Sequence, residues 1–210
     1  YESTVTQADR YLPPDNIQFE PQTVIAHRSS PTNIGLYLAS ALAACDFDFI
    51  SPKELYSRLD KTLNTIESLP KWRGHLYNWY DTQTGALLEP RYVSSVDTGN
   101  FLACLIVTAQ GVKEYADKEP MLLDIAARFE KLYSKTDLKA VYNSQRELFA
   151  LGVAFDEDGN ASQTDYVFDM LMSEARTLSY IAAARRDVAK KHWSTLSRPL
   201  IKNGDRIGIA

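Results

Sequence analysis

"TGNFLACLIVTAQGV", residues 98–112, carries no charged side chain. A helix of that composition has no face to offer water and calls for protein around it. "SPTNIGLYLASALAAC" (30–45) reads the same way, with Pro31 at a first helical position and no charge through Cys45. "YVFDMLMSEARTLSYIAAA" (166–184) is a third mostly apolar helical stretch. Each is followed by a different kind of segment. In "SPKELYSRLDKTLNTIESLP" (51–70), Ser51 and Glu54 make a capping-box signature, and Pro70 closes the helix. There Leu55, Leu59, Leu63 and Ile66 form one stripe opposite Lys53, Arg58, Asp60 and Lys61. "EPMLLDIAARFEKLYSK" (119–135) turns Asp124, Arg128 and Lys131 to solvent, and the basic segment Arg185–Trp193 is the third outer partner.

Three inner–outer pairs therefore follow one another, the inner helices starting roughly 65–75 residues apart, longer than most solenoid repeats. Inner helices sheathed by outer ones predict an all-α fold, an (α/α)6-type toroid. Residues 1–210 then form one partial barrel domain, about the N-terminal half, with small β-hairpin insertions. An antiparallel stack of helical repeats satisfies the same periodicity. Half a toroid leaves an apolar face, and a homo-oligomer of the chain is one way to cover it.

The connections are long. "HLYNWYDTQTGALL" (75–88) and "ELFALGVAFDEDGNAS" (147–162) each read as a hairpin, turning at Thr84–Gly85 and Asp158–Gly159. Both precede an inner helix, so the decorated loops are expected at the end of the bundle where inner helices begin. Connections of that length in a helical domain usually carry function.

Bulk properties narrow the function. The net charge of −4 argues against a surface for nucleic-acid phosphates. Arg185–Arg186 and Lys190–Lys191 read as a solvated helix face. Cys45 and Cys104 lie in apolar runs and read as small buried hydrophobes of a reducing compartment, not as a disulfide or metal pair. No signal peptide is expected, and no uncharged stretch reaches the roughly twenty residues a membrane helix needs. The absence of an initial Met suggests a piece of a longer protein. No glycine-rich phosphate loop, zinc helix or Cys-x-x-Cys pair occurs, so neither cofactor nor metal is expected.

Trp79, Tyr80, Asp81, Arg91 and Asp97 should line a shared mouth above the inner helices; His27 and Arg28, just before the first of them, either join it as a sugar-binding pair or serve as a loop cap and a salt bridge. Flat rings suit the apolar faces of sugars, and carboxylate, amide and guanidinium groups suit their hydroxyls. A neutral polyhydroxyl ligand is the expectation. Asn33 and Asn100, at two inner helix starts, are either ligand contacts or caps. Asp97 is either a ligand carboxylate or a cap favoured by the helix dipole. Glu174 and Arg176, inside an apolar stretch, either line a cavity or pair with each other. Trp79–Tyr80 is either a stacking platform or core.

Three blocks go further: "LPPDNIQFEPQTVIAHRSSPTNIGLYLASALAACDFDFI", "RGHLYNWYDTQTGALLEPRYVSSVDTGNFLA" and "MLMSEARTLSYIAAARRDVAKKHWSTLSRPL". They resemble the central glucoamylase-like region of bacterial cyclic β-1,2-glucan synthases, from Leu12 to Leu200, with weaker similarity to endo-β-1,2-glucanases. The positions that match are His27, Arg28, Pro31, Thr32, Asn33, Asn78, Trp79, Tyr80, Asp81, Arg91, Tyr92, Asp97, Asn100, Glu174 and Arg176. The resemblance implies a transglycosylase module of a large multi-domain enzyme at the cytoplasmic face of the inner membrane. It implies a β-1,2-glucan oligosaccharide and the parent's other domains as partners, and catalytic glutamates beyond Ala210, leaving this chain inactive alone. A non-catalytic glucan-binding module and a helical interaction scaffold are the competing readings.

Overall fold

The computed structural model describes residues 1–209. Its six α-helices are α1 (Pro31–Asp46), α2 (Pro52–Ser68), α3 (Ser95–Lys113), α4 (Leu122–Lys135), α5 (Arg176–Arg185) and α6 (Lys191–Thr195). They lie in two layers. Helix α3 is flanked by α1 and α5, α2 backs α1, α4 backs α3 and touches α2, and α6 packs on α5.

Local chemistry accounts for the first two helices. Ser30 and Ser51 cap α1 and α2, their hydroxyls accepting the amides of Asn33 and Glu54, and a proline follows each at the first turn. Leu55, Leu59, Leu63 and Ile66 of α2 are all fully buried, as their stripe predicts. Each such side chain contributes about 1.5–3 kcal/mol on leaving water. At the far end of α2, the half-buried ammonium of Lys71 donates to the carbonyls of Ile66, Glu67 and Leu69, filling acceptors that a helix end leaves bare.

Glycines bring the inner helices together. A Cβ on Gly99 of α3 would lie 2.8 Å from the Leu178 backbone nitrogen of α5, and one on Gly35 of α1 would lie 3.0 Å from Cys104 Cβ. Thr32 bonds Asp97 near the starts of α1 and α3 and Asp46 bonds Tyr115 near their ends, so these two run parallel, and Leu178 sets the start of α5 beside that of α3. Away from α2 and α4, this layer leaves Leu36, Val107 and Tyr180 exposed. Protein on all sides was the expectation for these helices; within this chain they are covered on one side.

Three further expectations need correction. "All-α" fits only in part, because six small antiparallel sheets occupy the segments before, between and after the helices among the described residues. The third inner helix is shorter than its apolar run: Val167–Phe168 pairs with Ala150 and Phe149, and Met170 bridges Ser197, so α5 begins only at Arg176. Arg185 is no solvated face. Its guanidinium donates to the Tyr133 and Thr136 carbonyls, lies over the Tyr133 ring and pairs with Asp187, closing the end of α4.

One expected hairpin forms over its second part, while Leu148–Ala150 pairs elsewhere. Gly152–Phe155 pairs with Ala161–Gln163 around Gly159, whose φ of +82° is a conformation suited to glycine. The other is divided. Asp81–Gly85 does turn, and Tyr80 bridges Leu87, but Tyr80–Asp81 also pairs with Arg28–Ser29. That second pairing draws the chain before α1 to the chain before α3.

Candidate functional site

The pairing of Arg28–Ser29 with Tyr80–Asp81 sets which side chains face outward. Successive residues of a strand alternate sides. Ser29 and Tyr80 point into the core and are fully buried, while Arg28 and Trp79 meet at the surface with the guanidinium carbon 4.6 Å from the indole centroid. Such a stack is favourable through the ring quadrupole. Tyr80 therefore offers no sugar platform. Its hydroxyl donates to the Pro70 carbonyl and accepts the Tyr77 amide, and burial pushes its phenol above the usual range.

Asp97 stands in the first turn of α3, which Ser94 caps through the Asp97 amide. The cap duty thus falls to Ser94, leaving the Asp97 carboxylate for side chains. Its Oδ1 accepts Thr32 Oγ1 from α1 at 2.5 Å, and Thr32 Oγ1 accepts Asn100 Nδ2 at 3.2 Å. Its Oδ2 takes the Asn78 amide nitrogen at 2.7 Å, while the Asn78 amide oxygen accepts Trp79 Nε1 at 2.8 Å, the amide being oriented by these neighbours.

A second carboxylate completes the cluster. Asp15 accepts Arg28 through one oxygen and Asn33 Nδ2 through the other, and Asn33 Oδ1 accepts the Ser30 hydroxyl. Asn33 and Asn100 are therefore neither caps nor free; each ties an inner helix start to a neighbour. Asp15, Thr32 and Asn78 belong to the site although the sequence reading placed none of them among its candidates. Thr32 and Asn78 had a signal in the matched blocks. Asp15 had none beyond lying in the same block.

The remaining candidates lie around this cluster in other roles. His27 bonds Asp9 at 2.7 Å, and the same Asp9 oxygen accepts the Thr82 hydroxyl. Asp81 spends its carboxylate on its own turn. Hydrogen bonds from the Thr84 amide, the Thr84 hydroxyl and the Gln83 amide hold its pKa below the usual carboxylate range, with burial opposing. Arg91 is at the surface and pairs with Glu89. Glu174 and Arg176 are not buried charges, since both are exposed where α5 starts. Arg176 contacts Met172 Sδ, and Glu174 makes no hydrogen bond or ion pair among the described residues.

The structure thus brings together Arg28, Asn33, Trp79, Asp97 and Asn100 around the starts of α1 and α3, with Glu174 at the start of α5. Carboxylate, amide, hydroxyl and guanidinium groups alternate on a rigid frame beside one indole. Such an arrangement can recognise hydroxyls in fixed positions.

No protein-family model matches the sequence. The chain is 49% identical over 117 residues to the cyclic β-(1,2)-glucan synthase NdvB of Rhizobium meliloti (strain 1021), a match covering 56% of the chain and 4% of that protein. In fold it resembles an endo-β-1,2-glucanase of Chitinophaga pinensis, solved with sophorotriose and glucose, at a TM-score of 0.75 and 14% identity over 99% of the chain and 50% of that protein. It also resembles an endo-β-1,2-glucanase of Talaromyces funiculosus, solved as a mutant with β-1,2-glucan, at a TM-score of 0.75 and 13% identity over 96% of the chain and 49% of that protein. The chain spans a small part of the curated relative and about half of each solved structure. The resemblance read from the three sequence blocks is borne out: this chain is similar in sequence to a cyclic β-1,2-glucan synthase and in fold to endo-β-1,2-glucanases.

Proposed function

We propose that this chain is about half of an (α/α)6-type toroid acting on β-1,2-glucan, in a transglycosylase domain of a cyclic β-1,2-glucan synthase. The observation that carries the reading is the cluster of Arg28, Trp79, Asn78, Asp97 and Thr32 at the starts of the inner helices. The sequence match to a synthase and the fold match to β-1,2-glucanases support it. In this reading the exposed inner face of Leu36, Val107 and Tyr180 packs against the barrel's other helices. Partners are then the glucan and the parent's other domains, at the cytoplasmic face of the inner membrane. No helix among the described residues is long and apolar enough to cross a membrane.

Cleaving a glycosidic bond takes two carboxyl groups flanking it. Both oxygens of Asp97 are already engaged by Thr32 and Asn78, which suits holding the glucan better than moving a proton. Glu174, exposed at the start of α5, is a carboxylate with no hydrogen bond or ion pair among the described residues. The same observation favours a second reading, in which the chain binds glucan and chemistry takes place elsewhere. Incubation with linear β-1,2-glucan separates the outcomes. Saturation-transfer NMR is expected to show contact with the glucan, with no new reducing ends and no cyclic product. Contact without chemistry, persisting when the missing helices are supplied, selects the binding module. Absence of contact in both forms overturns both readings.

A further inference from the structure

Nε and Nη2 of Arg28 both donate to one oxygen of Asp15, at 3.1 and 2.9 Å, and Asp15 Oδ1 takes Asn33 Nδ2 at 3.3 Å. The guanidinium is then held along one edge by Asp15 and along one face by Trp79, whose own N–H is fixed by Asn78. A guanidinium has five N–H donors. Asp15 takes two from the Nε side, which leaves the Nη1–Nη2 end as a free fork on a side chain that is still half exposed. An exposed arginine ordinarily loses rotamer freedom when it binds, and here that ordering is in place beforehand.

We infer that Asp15 is a positioning residue for the saccharide site, holding Arg28 so that its free fork takes two adjacent hydroxyl oxygens of one hexose unit. This rests on the functional reading above. A glucan joined through O1 and O2 keeps its neighbouring 3- and 4-hydroxyls free on each internal unit, a pair that a fork of this width can span. At Trp79 the ligand therefore meets a cation backed by an indole, not a bare ring face. A held fork of this kind prefers an adjacent pair of hydroxyls to an isolated one, where simple stacking supplies no such preference.

The test is a double-mutant cycle in the whole chain with Asp15→Ala and Arg28→Ala. It is read by titration with linear β-1,2-gluco-oligosaccharide and by acrylamide quenching of Trp79, with Trp72 and Trp193 changed to Phe. Asp15→Ala is expected to weaken binding about tenfold and to raise Trp79 quenching. Arg28→Ala does at least as much, and the double variant no more than Arg28→Ala alone. Losses that add in the double variant mean a merely structural Asp15 and overturn the inference. Asp15→Asn, which keeps the shape and removes the charge, replaces Asp15→Ala if the latter unfolds. If the unmodified chain binds no β-1,2-glucan, the functional reading fails by itself and quenching decides the positioning: quenching unchanged by Asp15→Ala overturns it.

Discussion

Thr32 Oγ1 donates to Asp97 Oδ1 at 2.5 Å, joining the first turns of α1 and α3 through side chains 65 residues apart. Asp97 also holds Asn78, and through it the indole of Trp79. One carboxylate therefore links helix packing to the surface of the candidate site. Asp97→Ala strips a part-buried hydroxyl and an amide of their acceptor, at a cost of about 1–3 kcal/mol. Urea unfolding should show that loss and glucan binding should weaken with it, while Asp97→Asn retains more of both. Full stability in Asp97→Ala contradicts the role assigned to it.

Gly99→Ala tests how the inner layer is built. The added methyl meets the Leu178 backbone at 2.8 Å, and backbone cannot swing aside as a side-chain tip can. Overpacking of this kind costs about 1–3 kcal/mol. Gly208→Ala, with nothing within 4 Å, is the matched control and should be close to neutral. Equal melting temperatures for the two variants would mean that α3 and α5 do not approach as described.

Two buried histidines make stability depend on pH. His75 donates Nε2–H to the Asp137 carbonyl and accepts the Thr98 hydroxyl at Nδ1, and His192 donates Nδ1–H to the Glu147 carbonyl between Tyr142 and Phe149. Burial lowers both pKa values from 6.5, with the carbonyl hydrogen bonds opposing. The unfolded chain thus takes up protons that the folded chain refuses. Stability is full above about pH 6.5 and is lost as pH falls from there toward the folded values. Urea midpoints between about pH 7.5 and 5.5 should fall, and more shallowly in His192→Phe. An unchanged slope in that variant argues against a neutral His192.

Trp79 and Tyr80, adjacent in sequence, should respond oppositely to substitution. Tyr80→Phe removes the hydroxyl bridging the Pro70 carbonyl and the Tyr77 amide. It should cost about 1–3 kcal/mol of stability with little direct effect on a sugar. Trp79→Ala should leave the fold nearly unchanged and remove binding. Calorimetry on both variants reads the contrast, and a loss of binding restricted to Tyr80→Phe would reverse the assignment.

The Pro31 start of α1, the Ser51 cap and the α2 stripe were legible because their causes lie within one turn of chain. The start of α5 was not. Val167–Phe168 leaves the helical pattern to pair with Phe149 and Ala150, and an apolar run does not declare a distant strand partner. The same limit applies at the site. The sequence placed Asp97 and Trp79 beside inner helix starts, but Tyr80 looked equivalent to Trp79 until pairing with Ser29 turned it inward. Asp15 became visible only when the strand at Arg28 and the turn of Asn33 met it in space. Arg185 read as solvated because its carbonyl partners lie on α4 and just after it.

The mouth around Trp79 and Arg28 is proposed to select β-1,2-linked glucose. The most direct measurement is a calorimetric titration of the folded chain with linear β-1,2-gluco-oligosaccharides, against cello-oligosaccharides of equal length, repeated on Trp79→Ala. Binding of the β-1,2-linked series alone, abolished by Trp79→Ala, is the expected result. Equal binding of both series, or binding untouched by Trp79→Ala, would contradict it.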